Sequence, residues 1–258
     1  MLETPSSTMR NIFMHYLIQM VPRLPPAVDG VGDYSLILAR QLWKRSGIKT
    51  IFIVCDPLWQ GPQTIEQFEV IRLEKRSPED LTRKLCLALR QSGENSKILL
   101  QFVCYGYGPR GITEWIIDGL QSFSSSHPDQ LLVMFHELVA ESFLPWKSAF
   151  WLHSRLKEQI RDIASLASTR FTTTDAYAAR LRRWGVDNVP VIPTYSGVGE
   201  PDTNVPMADR EPCVVVFGRR PQRELVYRNE GDALRHACEI AGAEYVVDIG
   251  EELPSVPT

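Results

Sequence analysis

The chain has 258 residues, 44% of them apolar, and a formal charge of −3 from 28 basic and 31 acidic side chains. That length accommodates one large α/β domain or two small ones, and the apolar fraction is enough for a buried core. The balanced, slightly acidic charge argues against a general nucleic-acid binder, and no apolar run reaches the ~18–20 residues that span a bilayer.

Residues 1–9 are polar and read as a loose N-terminal segment, without the basic and then apolar pattern of a secretory leader. Ile12 to Val21 reads as a first strand, interrupted in its apolar character by His15 and Gln19. A loop with Pro25, Pro26, Gly30 and Gly32 follows, and then a helix whose apolar face carries Leu36, Ala39, Leu42 and Trp43, with Gly47 placed to end it. Lys49 to Cys55 is a continuous apolar run of the kind buried on both faces of a parallel sheet. Phe68 to Leu73 predicts a third strand, and Ser77-Pro78-Glu79-Asp80 predicts a helix start with Ser77 as the N-cap.

Ile98 to Tyr105 predicts a fourth strand that opens into Gly106-Tyr107-Gly108-Pro109-Arg110-Gly111 and a helix containing Trp115, Ile116 and Leu120. Leu131 to Phe135 predicts a fifth strand, with His136 and Glu137 at its C-terminal end. A helix over Phe150 to Ala167, a short strand at Phe171, a capping run at Thr172 to Thr174, a helix through Leu181 and a strand over Val189 to Ile192 complete the first region. Residues 196–212 are rich in glycine, proline and acids and read as a linker. Beyond it come a strand from Cys213, a helix over Arg223 to Ala241 and a strand at Tyr245 to Ile249.

This alternation predicts a doubly wound, Rossmann-like parallel sheet over residues 10–195 and the truncated beginning of a second α/β lobe over 213–258. Ligands of such sheets bind beyond the carboxyl ends of the strands. The loops at Pro22 to Asp33, at Gly106 to Gly111 and at His136-Glu137 all leave such ends, so one cleft is expected to gather them. Glycines at a helix mouth let backbone N–H groups approach a phosphate, and the helix N-terminus favours its charge.

Two other readings of Gly30-Val31-Gly32 stand beside the phosphate site. One is a tight strand–helix turn without a ligand. The other is a dinucleotide site for NAD or FAD, with Asp56 as the ribose acid. The long proline loop before Gly30 weighs against that fingerprint, whose first glycine follows the strand directly. The five cysteines, Cys55, Cys86, Cys104, Cys213 and Cys238, form no C-x-x-C pair. They read as buried reduced thiols of a cytoplasmic protein, and a metal cluster is not expected.

Gly30-Val31-Gly32-Asp33-Tyr34 with Leu38, Ala39 and Leu42 behind it, the Phe135-His136-Glu137-Leu138 corner, and Val216-Phe217-Gly218-Arg219 after the linker resemble, in order and spacing, the two-lobed GT-B glycosyltransferases, and among them retaining glycosyltransferase family 4. The resemblance implies transfer of a sugar from a nucleotide diphosphate sugar to an acceptor, with no cofactor and no obligatory metal. It implies a strand-end histidine, His136, facing the transferred sugar. It implies a donor diphosphate held by Gly30, Gly32 and Arg219, with Arg220 or Arg223 in place of the usual lysine. The acceptor would lie on the first lobe, near Asp33, Tyr34, Tyr105, Tyr107, Arg110 and Glu137. The family's two glutamates spaced E-x7-E have no counterpart; Glu244 and Glu252 share only the spacing. The expected partners are therefore a nucleotide sugar and a glycosyl acceptor, and the missing remainder of the second lobe leaves three readings open: a fragment or frameshifted product, a chain completed by a partner chain, or a chain that has lost catalysis. A binding or interaction module that keeps the first-lobe fold without turnover is the alternative.

Each of these residues also has a plainer reading. His136 can be a hydrogen-bonded strand-end histidine, Glu137 a helix-start acid, and the tyrosines core or loop packing. Lys147, His153, Arg155, Lys157 and Arg161 beside Leu152, Leu156, Ile160 and Ile163 make a candidate for weak contact with an anionic membrane surface, but Glu158 and Asp162 favour a solvated helix packed on the sheet.

Overall fold

The computed structural model describes residues 15–93, 95–139, 148–195, 206, 209–210, 212–217, 220–243 and 245–249. The chain divides into two compact units, Met1–Gly199 and Glu200–Thr258.

The first unit is a seven-stranded sheet in the order β3-β4-β2-β1-β5-β6-β7. Its strands are β1 (Tyr16–Val21), β2 (Lys49–Val54), β3 (Thr64–Ile65), β4 (Phe68–Arg72), β5 (Lys97–Val103), β6 (Leu131–Glu137) and β7 (Thr169–Thr172). Every pairing is parallel except β3 with β4. From β1 the chain builds outward through β2 to β4, then returns to β1's other side and builds through β5 to β7. The reversal falls between β1 and β5, and ligands of open α/β sheets bind beyond the carboxyl ends of the strands at such a switch point. The architecture is thus α/β and Rossmann-like, as the alternation of buried runs and helices predicts.

The helices of this unit are α1 (Gly30–Ser46), α2 (Pro78–Ser92), the single turn α3 (Cys104–Tyr107), α4 (Glu114–Ser126), α5 (Ser148–Leu166) and α6 (Asp175–Arg183). Their ends follow local chemistry. Gly47 closes α1 at φ 65°, a left-handed position open to glycine. Ser77 and Thr174 accept hydrogen bonds from Asp80 N and Tyr177 N and so cap α2 and α6.

One face of the sheet, with Ile18, Met20, Ile53, Leu100, Phe102, Val133 and Phe135, forms a large buried core under α2, α4 and α5. The other face carries a smaller cluster around Phe52, Val54 and Leu36, and a third around Tyr34, Leu99 and Met134. Alternation along β1 and β5 puts Gln19 and Gln101 on this second face, under α1, and both are fully buried.

Several expectations are corrected. The helix starts at Gly30, so Gly30 to Asp33 form its first turn and not the end of a loop. β6 runs through His136 and Glu137. Val189 to Ile192 is not a strand, because only Val191 bridges to Thr172. A two-residue strand, β3, turns back on β4 through Glu66 at φ 56°. Cys55 and Cys104 are buried, but Cys86, Cys213 and Cys238 are only half-buried.

The second unit holds β8 (Cys213–Phe217), α7 (Arg220–Asn229), α8 (Gly231–Ala241) and β9 (Tyr245–Ile249), with β8 and β9 parallel in a two-stranded sheet. The helix expected over Arg223 to Ala241 is in fact two, divided at Glu230 and Gly231. Most of the expected linker lies outside the described residues. Among the described residues no helix is long and apolar enough to cross a membrane.

Candidate functional site at the carboxyl ends of β1, β5 and β6

The mouth of α1 is built from the chain's own acid. Asp29 is the N-cap, and its Oδ1 accepts from Val31 N and Gly32 N, each at 3.0 Å. Asp33 N donates to Asp29 O at 2.9 Å. Three of the first-turn donors that an anion would use are thereby engaged within the chain. Gly32 is glycine for a steric reason: a Cβ there would lie 2.3 Å from Arg23 O. The helix start thus presses directly on the backbone of the proline loop. Gly30 is different, because a Cβ there would meet nothing within 4 Å. Asp33 sits half-buried beside Asp29; burial first, and the neighbouring carboxylate second, hold its pKa above the usual value, against the opposing pull of Arg40.

The second loop meets the first. A Cβ on Gly106 would come within 2.8 Å of the Pro22 ring. Gly108 lies so close to the Ile112 carbonyl that no side chain fits. In this loop Tyr107 is fully buried, and its hydroxyl proton is shared between Gln101 O at 2.8 Å and Met20 O at 3.1 Å. It ties β1 to β5 from inside the core, and this corrects its placement on an acceptor wall. Tyr105 and Arg110 are exposed, Arg110 at φ 57°.

His136 arrives from β6 through a register slip. Phe102 pairs with Phe135 and Val103 with Glu137, so His136 is the extra residue of a β-bulge. Bulges re-aim side chains next to sites. Here the ring turns onto the α1 face. Its Nε2 lies 2.7 Å from Gln101 Oε1, and its ring meets the Tyr34 ring edge-on at 4.7 Å and 76°. Burial drops its pKa to about 4, so the imidazole is neutral at pH 7. Tyr34 in turn stacks on Tyr195 at 4.4 Å. Glu137 is exposed at the strand end.

Gly30, Gly32, Asp33, Tyr34 and His136 are therefore gathered at one end of the first unit. Arg219 lies outside the described residues. Arg223 stands in the first turn of α7, in the second unit, with a buried side chain. Asp56, the acid of the dinucleotide reading, is engaged by Arg23, Arg76 and the Leu58 amide. Sequence reasoning missed Asp29, Gln19, Gln101 and Tyr195. Asp29 had a signal, an acid directly before the first helical residue. The two glutamines had another, a single polar side chain inside each of two otherwise apolar strands.

No protein-family model matches the sequence, and no curated protein matches it. Solved structures do resemble it. A sucrose-phosphate synthase from Thermosynechococcus elongatus superposes with a TM-score of 0.53 at 16% identity, covering 92% of this chain and 70% of that one. A short-chain dehydrogenase/reductase from Serratia marcescens matches at TM-score 0.37 and 12% identity over 92% of this chain and 95% of its own. The Pseudomonas aeruginosa RhlG/NADP complex matches at TM-score 0.40 and 11% identity over 92% and 95%. At such identities the likeness is one of fold.

Proposed function

We propose that this chain is a glycosyltransferase-like protein whose cleft at the carboxyl ends of β1, β5 and β6 holds a sugar donated by a nucleotide diphosphate sugar and passes it to an acceptor. The observation that carries the reading is His136: a neutral, half-buried imidazole, turned by a bulge toward the first turn of α1. A neutral ring suits a polar contact to an uncharged hydroxyl better than a salt bridge to phosphate. The fold likeness to a sucrose-phosphate synthase supports the same reading.

In this mechanism His136 orients the sugar, with Asp33 and Glu137 as polar neighbours of the acceptor and Tyr105 and Arg110 as its outer wall. Gly30, at the open end of α1, offers its backbone to the diphosphate. Stabilisation of the charge that develops on the leaving diphosphate supplies much of the rate. No cofactor and no metal enters this scheme. The test is release of nucleoside diphosphate from UDP-glucose and its GDP, ADP and TDP counterparts in the presence of candidate acceptors. Release that His136→Ala abolishes supports the proposal; no release from any donor counts against turnover.

A second reading, a binding module without turnover, is favoured by the Asp29 cap. With Val31 N and Gly32 N already bonded to a carboxylate, an incoming phosphate competes with an internal anion. Binding of a nucleoside diphosphate sugar with no release of product would select this reading.

A further inference from the structure

A line of hydrogen bonds runs through the second face of the sheet to His136. Gln19 Nε2 donates to Ser35 O of α1 at 3.4 Å. Gln101 Nε2 donates to Gln19 Oε1 at 2.7 Å. His136 Nε2 lies 2.7 Å from Gln101 Oε1. Both amides are fully buried, so neither can exchange these partners for bulk water.

The direction of the line follows from its first member. A backbone carbonyl can only accept, so the Gln19 side chain must turn its NH2 toward Ser35 and its oxygen toward Gln101. Gln101 must then offer its NH2 to Gln19 and its oxygen to His136. An amide oxygen has no proton to give, so the proton of the last bond belongs to the imidazole. The ring nitrogen that makes the bond fixes the state of the other.

We infer that Gln19 and Gln101 are positioning residues that hold His136 in the Nε2–H tautomer, leaving Nδ1 as a hydrogen-bond acceptor for a hydroxyl group of the ligand. The inference rests on the sugar-transfer reading for the identity of that hydroxyl, but the tautomer itself does not depend on it. Among the described residues nothing is hydrogen-bonded to Nδ1. A bare lone pair attracts an O–H donor and repels a phosphate or carboxylate oxygen. The relay thereby selects an uncharged, hydroxyl-bearing group at this point of the cleft and sends the anionic part of a ligand elsewhere. Tyr34 completes the arrangement, because its edge contact keeps the imidazole plane from turning.

The relay is read directly by 15N–1H correlation spectra of the histidine rings in the ligand-free protein at pH 7, with the His136 signals identified by their loss in His136→Gln. The wild type is expected to show protonated Nε2 and unprotonated Nδ1. Gln101→Met removes the acceptor and is expected to give a mixture of both tautomers. Gln101→Glu restores an acceptor and is expected to recover the Nε2–H form with a raised ring pKa. Gln19→Met, which leaves the Gln101 amide free to turn over, is expected to lower the Nε2–H fraction. An Nδ1–H ring in the wild type overturns the inference and needs no variant to fold. A Gln101→Met or Gln19→Met spectrum identical to the wild type also overturns it for that residue. Nε2–H in a protein that binds no nucleotide sugar would sink the sugar reading while leaving the relay standing.

Discussion

The Tyr195 ring lies flat on the Tyr34 ring, 4.4 Å between centroids and 13° from parallel, and its hydroxyl donates to the Tyr34 carbonyl oxygen at 2.5 Å. A residue from the end of the first unit is thus fastened to the first turns of α1, directly behind the tyrosine that packs on His136. Tyr195→Phe should lose the hydrogen bond, at about 0.5–1.5 kcal/mol of stability. Tyr195→Ala should lose the stacking as well, about 0.5–1.5 kcal/mol more. Because it also opens the far side of Tyr34 to water, Tyr195→Ala should raise the pKa of His136 toward its ordinary value. Chemical denaturation and ring NMR titration check the two effects.

Gly30 and Gly32 should behave oppositely when changed to alanine. The Cβ of Gly32→Ala would meet backbone, which cannot move aside cheaply, and overpacking of this kind costs about 1–3 kcal/mol. Gly30→Ala meets open space inside a helical turn and should be neutral or stabilise by about 0.4–1 kcal/mol. Denaturant midpoints of the two variants test this. The contrast also decides which glycine can probe diphosphate binding: a loss in a Gly32 variant would report the fold, whereas a loss in Gly30→Ala would report the ligand.

Asp29 should show stability and affinity moving in opposite directions. Asp29→Ala removes the N-cap and should cost about 1 kcal/mol. It also frees Val31 N and Gly32 N and removes a negative charge from the helix mouth. Affinity for a nucleoside diphosphate, measured by calorimetry, should therefore rise. Asp29→Asn, which keeps the cap, should raise affinity with little loss of stability.

The depressed pKa of His136 makes a signed prediction for stability against pH. The ring has a folded pKa of about 4 and an ordinary value of 6.5. Between these two values the unfolded chain binds the extra proton, so stability should fall as pH drops from 6.5 toward 4 and this contribution should level off below. The span corresponds to at most about 3 kcal/mol. His136→Asn should flatten the curve in this window while leaving the carboxylate-driven loss at lower pH.

Much of the fold was legible because its signals are local. The apolar run Ile51 to Val54 has the continuous pattern of a strand buried on both faces of a parallel sheet, and Ser77 and Gly47 declare helix ends through their own backbone chemistry, whereas the structure picks Thr174 as the cap of α6 from a run of three threonines. What escaped depends on neighbours distant in sequence. Val189 to Ile192 has the composition of a strand, but its pairing stops at a single bridge, Val191 to Thr172, made through Pro190 O and Ile192 N. β3 exists because Glu66 turns at positive φ, which nothing in its side chain announces. At the site, the strand-end position of His136 was readable, but the bulge that aims it was not. Tyr107 looked like a loop residue and is core, because a helical turn folds it back beneath β1 and β5. The roles of Gln19 and Gln101 required the strand order, which places β1 beside β5 and β5 beside β6.

The central claim is that the His136 cleft receives the sugar of a nucleotide diphosphate sugar. Calorimetric titration of the chain and of His136→Ala with UDP-, GDP-, ADP- and TDP-glucose tests it most directly. The account predicts that one donor binds and that His136→Ala, with its fold intact, weakens binding at least tenfold, about 1.4 kcal/mol. Binding of none of the four, or equal binding by the wild type and His136→Ala, would contradict it.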